Sequence, residues 1–232
     1  MPQRIEQRSW TKYAFEFFSI FLAVISAFAL TNWSENNRDK TAESKILLEI
    51  KNGLKKDIED INVNIWGHKS GIASCKYFRA LINGADTLSQ DSVMIYYIRL
   101  TRDFTLLQND SGYETMKARG LELISDDSLR TQLISLYEYD YDTLKKMEEE
   151  YEETQFQKTY FKDINEIMAP HFSYDERGNL KSVAVPLQLT EIERKKMMSY
   201  LMKIQVNRSF ILGYYAKAVS YTHLTLPTTP YV

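Results

Sequence analysis

A chain of 232 residues has room for one ordinary domain plus an anchor, since a single core commonly needs about 100–200 residues. Its 44% hydrophobic and 26% charged residues exclude a disordered polymer, and a formal net charge of −2 gives no whole-chain basis for nucleic-acid binding. The one cysteine, Cys75, excludes an internal disulfide, while 8 Gly and 5 Pro suit long helices better than a loop-rich β fold.

The first apolar element, Tyr13 to Trp33, reads YAFEFFSIFLAVISAFALTNW. At 1.5 Å per residue, about 20 residues cross the roughly 30 Å hydrocarbon layer of a bilayer. Glu16 is its only formal charge. Trp10 and Tyr13 stand at one edge and Trp33 at the other, where aromatic side chains anchor at membrane interfaces. The short tail 1–12 carries Arg4, Arg8 and Lys12, which favours a cytoplasmic N-terminus, although Arg38, Lys40 and Lys45 flank the far end. At helical spacing Glu16, Ser19, Ala23 and Ala27 share one side, with Ser26 beside them. Phe17, Phe18, Phe21, Val24, Ile25 and Phe28 share the other. Small residues let helices approach closely in lipid, so the first side is a candidate helix–helix interface with Glu16 as its polar member. The alternative for Glu16 is a carboxyl reaching back to the headgroups. A cleaved signal peptide competes with the anchor, because a basic start, an apolar run from Phe17 and Ala27-Phe28-Ala29 also fit that pattern.

Beyond the polar stretch SENNRDKTAES, the residues Leu47, Ile50, Leu54, Ile58, Ile61 and Ile65 recur at spacings of three and four. They predict the apolar seam of a long amphipathic helix that continues through His68 and Ile72 toward Phe78 and stops at Asn83-Gly84. A shorter helix is expected from Asp91 to Asp103, and another from Ser111 to Gly120 with a serine cap and a glycine stop. Ser125-Asp126-Asp127 opens what reads as the longest helix, capped by the serine and running toward Pro170 with a break near Thr154. Asp175 to Asn179 is a turn, and Val183-Ala184-Val185 is a short strand or loop. Thr190-Glu191-Ile192-Glu193 is a capping box that opens a final helix through Met197, Leu201, Ile204 and Ile211. The expected fold is all-α: a transmembrane helix at 13–33, then at 34–218 an antiparallel bundle of about three long helices with short ones between them. The heptad-like seam just past the anchor also suits a parallel homodimer.

The run FLAVISAFALTNWSENNRDK, followed by ESKILLEIKNGLKKDIEDI, resembles a bacterial family of small single-pass proteins with a domain of unknown function. That family's pattern is a Gly-Glu-Ile start to the membrane helix, an Asn-Trp-Asn-Glu exit, and a Lys/Glu-rich helix after it. Glu16, Asn32, Trp33 and Glu35 match; Phe15 replaces the glycine and Ser34 the second asparagine. The stretch GYETMKARGLELISDDSLRTQLISLYE resembles the family's second block, and the two blocks cover about a third of the chain. The resemblance implies an inner-membrane location with the helical domain outside the cytoplasm, and it implies no activity. The last residues, 219–232, read VSYTHLTLPTTPYV and resemble translated sequencing-adapter ends, so they are expected to be a non-native tail in which His223 carries no function.

No catalytic constellation emerges. His68 lies on the apolar seam and reads as a hydrogen-bonded core residue; His171 has no second histidine at metal-ligand spacing. Cys75 reads as a small hydrophobe. Glu138, Asp140, Asp142 and Glu149 mimic part of a calcium loop, yet Thr143 stands where its glycine belongs. The acidic run Glu148 to Glu150, with Glu152 and Glu153, reads as a solvated helix face. The sixteen tyrosines either line a groove or pack the core. No catalytic, metal or cofactor residues are therefore assigned. The expectation is a membrane-anchored, non-enzymatic accessory protein for binding or sensing, with the bilayer and a homodimer or membrane protein as partners. An envelope scaffold or assembly factor, and a secreted helical protein cleaved near Ala29, are the alternatives.

Overall fold

The computed structural model of the protein describes the backbone of residues 7–85 and 90–225 and the side chains of residues 10–85 and 92–219. Arg4, Arg8 and the expected tail from Ser220 onward therefore lie outside the described side chains. The fold is all-α, with one long N-terminal helix followed by a bundle of several helices, some of them short.

Helix α1 runs unbroken from Gln7 to Ile82. The apolar span and the amphipathic seam are thus one rod, and the polar stretch between them is helical too. That stretch holds neither Gly nor Pro, and its Glu, Lys, Arg and Ala residues favour the helical state. The rod ends at Asn83-Gly84, where Gly84 adopts φ +81° and its N–H returns to the Leu81 carbonyl.

The buried seam of α1 is rotated from the expected one. Ile58, Ile65 and Ile72 are only half-buried, and Asp57, Asn64 and Gly71 point inward in their place. These three lie one heptad apart and interleave with Ile50, Leu54, Ile61, His68, Cys75 and Phe78 in the core.

Helix α7, Glu191–Thr225, lies antiparallel along the upper part of α1. Arg194 donates to Asn83 at 2.9 Å, Arg79 donates to Gln205 at 3.0 Å, and Arg208 donates to His68 Nδ1 at 3.2 Å. Its capping box forms as the sequence indicates: the Thr190 N–H donates to the Glu193 carboxylate at 2.8 Å, and the Glu193 N–H to Thr190 Oγ1 at 3.3 Å. Met197, Leu201, Ile204, Arg208, Ile211, Tyr215 and Ala218 face inward at alternating spacings of four and three.

The long helix expected from Ser125 is a segmented rod, and α1 is the longest helix. The rod comprises α4 (Asp127–Ser135), a π turn (Leu136–Tyr141), α5 (Asp142–Glu149), a 3-10 turn (Glu152–Thr154) at the expected break, and α6 (Phe156–Met168). Capping differs as well. Asp126 caps α4 by accepting the Leu129 N–H at 3.0 Å, whereas Ser125 donates both its N–H and its hydroxyl to Glu43 on α1. Of the two short helices, α2 spans Gln90–Thr101 and α3 spans Ser111–Arg119. Asp110, not Ser111, occupies the cap position of α3, and Gly120 ends it at φ +103°. Strands β1 (Phe172–Tyr174) and β2 (Leu180–Val183) pair antiparallel around the expected turn, with Phe172 opposite Val183.

Candidate functional site

The residues singled out in the apolar span lie on the exposed part of α1. Trp10, Tyr13, Glu16, Ser19, Ala23, Ala27 and Trp33 are all solvent-facing, and none of the apolar window is buried. Ser19 turns its hydroxyl back to the Phe15 carbonyl at 2.8 Å, so it is satisfied within its own helix. By length and composition this is a helix able to cross a membrane.

The second feature is a buried polar seam, which the sequence pattern did not disclose. Between α2 and α3 the chain from Arg102 to Asp110 forms neither helix nor strand, and three carboxylates hold its backbone. Glu148 accepts the Leu106 N–H at 2.9 Å, Asp60 accepts that of Leu107 at 2.9 Å, and Asp57 accepts that of Asn109 at 2.8 Å. Without a neighbouring strand, the buried Leu106 N–H would be left unpaired at a cost of about 1–3 kcal/mol, while the N–H of the exposed Leu107 could turn to water. Glu148 is therefore not on a solvated face: it is buried, and the Tyr215 hydroxyl on α7 also donates to it. The rest of the acidic run, Glu149, Glu150, Glu152 and Glu153, is exposed as expected. Burial raises Asp57 to about 6 and Glu148 to about 7, because desolvation outweighs the hydrogen bonds each accepts.

Above these carboxylates lies Arg208, fully buried and without an ion-pair partner among the described residues. It donates to the Leu100 and Arg102 carbonyls at 3.0 and 2.8 Å and to His68 Nδ1 at 3.2 Å. Its guanidinium lies 4.0 Å from the centroid of the Phe156 ring. Arginine only donates, so His68 Nδ1 accepts and the proton of the neutral ring is on Nε2. Burial, with the nearby arginine charge second, lowers His68 to about 3. His68 is a core residue, as its place on the seam indicates, and Cys75, two turns further along α1, is buried too.

Two glycines of α1 make room for this arrangement. A Cβ on Gly71 would lie 2.3 Å from Arg208 Nε, and one on Gly67 would lie 2.3 Å from the Phe104 ring. The π turn contributes Tyr141, whose hydroxyl donates to Asp57 at 3.2 Å, and Asp140, which pairs with Lys217 at 2.8 Å. Of the other calcium-like carboxylates, Glu138 pairs with Lys117 at 3.0 Å and Asp142 with Lys146 at 2.8 Å, and Glu149 is exposed. Among the described residues no group of three or more His, Cys, Asp or Glu side chains converges on a metal position. Many tyrosines pack, as in the stacked pairs Tyr77–Tyr96 and Tyr113–Tyr137.

The polar seam is closed; the open features are grooves. One of about 570 Å³ lies between α1 and α3 and is lined by Arg38, Lys45, Ile46, Glu49 and Arg119 among others. A second, of about 390 Å³, lies on the α1–α2 face. No family model matches the chain, and neither does any curated protein or any solved structure.

Proposed function

We propose that the chain is a membrane-anchored, non-enzymatic accessory protein whose helical domain binds or senses on the periplasmic side of a bacterial inner membrane. The observation that carries this reading is the complete exposure of the apolar part of α1, which adds nothing to the core yet continues without a break into the bundle. An apolar surface of that length is stable only against lipid or other apolar helices. Its aromatic edges at Trp10, Tyr13 and Trp33 fit two interfaces, and Arg8 and Lys12 favour a cytoplasmic N-terminus. The face Glu16, Ser19, Ala23 and Ala27 is where a membrane partner or a second copy would pack. The resemblance of the anchor and its exit to single-pass proteins with an external domain supports the same topology.

One observation favours the secreted alternative: Ala27-Phe28-Ala29 has the small residues of a cleavage site. Against it, these residues lie mid-helix with no break to present them as an extended substrate. Two measurements decide. Alkaline phosphatase fused after Ala218 should be active in cells, with the chain in the membrane fraction and its N-terminal 29 residues retained by intact mass. An inactive fusion overturns the topology, and a mature chain beginning after Ala29 overturns the anchor.

A further inference from the structure

The groove between α1 and α2 has an unusual lining for an exposed surface. Val63 and Trp66 come from α1, Ile95, Ile98, Arg99 and Arg102 from α2 and its end, and Phe104 from the irregular segment after it. Trp66 is 55% exposed and Ile98 53% exposed. Contiguous apolar patches rimmed by polar groups mark interaction sites more often than scattered surface residues do. The floor is rigid, because Gly67 lets the Phe104 ring seat directly on the α1 backbone.

Arg99 lies 5.2 Å over the Trp66 ring and Arg102 lies 6.0 Å from the Phe104 ring. Neither arginine has an ion pair with a described residue, and the lining contains no carboxylate. Aromatic residues and arginine are the types enriched where binding energy concentrates. Two unpaired guanidiniums beside an apolar floor call for carboxylates on the occupant. A second copy is a poor fit, since a two-fold contact would bring four arginines together with no acid between them. Lipid is out of reach, because Trp66 lies about 50 Å along α1 beyond Trp33.

We infer that this groove docks an amphipathic segment of another protein, with apolar side chains on Trp66, Ile95 and Ile98 and carboxylates on Arg99 and Arg102. This deepens the reading of the chain as a binding protein and rests on it. A photo-crosslinker placed at Ile98 in the full chain, in cells, tests it against a control at the exposed Lys158 on α6. The expected result is an adduct about tenfold above the control. Its cross-linked peptide should carry both apolar and acidic residues, and Arg99→Glu with Arg102→Glu should reduce it about tenfold at unchanged helicity. Labelling at Ile98 no stronger than at Lys158, a basic segment, a second copy of this chain, or indifference to charge reversal overturns the inference. Fractionation of the same cells keeps the two readings apart. Loss of the adduct from a chain that stays in the membrane sinks the groove alone, while a soluble chain sinks the anchor alone.

Discussion

A buried guanidinium with no ion pair among the described residues must be stabilised by weaker partners acting together, and Arg208, with the Asp103 charge nearby, shows how. Two of its hydrogen bonds end on carbonyls at the C-terminus of α2, the negative end of that helix, and the Phe156 face and the neutral His68 ring supply the rest. The cation keeps its proton, although burial lowers its pKa to about 10. All of this depends on Gly71 having no side chain. Gly71→Ala should therefore cost about 2–4 kcal/mol, by forcing the guanidinium off its partners inside the core. The same substitution at Gly213 on α7 should have the opposite sign. Nothing lies within 4 Å of a Cβ there, so the helix gains about 0.5–1 kcal/mol. Denaturant unfolding of the full chain in detergent measures both. Two substitutions of the same sign would mean that room for Arg208 does not decide the stability of this core.

The irregular segment from Arg102 to Asp110 is one that no periodicity announces, and it explains why Asp57 and Glu148 face inward. It has no strand partner, so its N–H groups need acceptors on helices, and Asp57 and Glu148 turn inward to supply them. A reading that sends charges outward selects Ile58 over Asp57 and solvates Glu148. Arg208 falls on the heptad grid between Ile204 and Ile211, so its position was legible and its burial was not. The helices, the caps at Thr190 and Gly120, and the core role of His68 follow from local chemistry and could be read directly. The segment also makes stability depend on pH. Glu148 in the fold holds its proton up to about 7, against 4.5 as its ordinary value. Over that window the folded state binds more protons than the unfolded, so this contribution is full at low pH and is lost as pH rises toward 7. His68 acts in the other sense: its contribution is present above 6.5 and is lost as pH falls toward 3. Comparing the wild type with Glu148→Gln isolates the carboxylate, because the amide can still accept from Leu106 and donate to Tyr215. The variant should be more stable than wild type by about 2 kcal/mol at pH 8 and equal to it near pH 4.5. A difference that does not vary with pH would show that Glu148 does not titrate in this range.

At the scale of the whole molecule, α1 is one unbroken helix from the exposed apolar span into the bundle, so on the proposed membrane reading the height and facing of the bundle follow from helix geometry. Residues 34–40 are all exposed and carry no core side chain, although Asn37 and Arg38 line the groove beside α3. Polar all round and free of Gly and Pro, the stretch is a stiff helical spacer between the apolar span and the domain. Deleting those residues, Ser34 to Lys40, should therefore translate the bundle without unfolding it. At 1.5 Å per residue the domain moves about 10 Å toward the bilayer, and a seven-residue step turns it by only about 20°. A fluorophore on Lys69→Cys, paired with an acceptor at the lipid surface of nanodiscs holding the full chain, reads that distance. Cys75 is buried and would remain unlabelled in the folded protein. A shortening of about 10 Å at unchanged helicity supports a stiff rod. No shortening would mean that the chain bends between Trp33 and Ile46, and that the α1–α2 groove is not held at a fixed height for a membrane-bound partner.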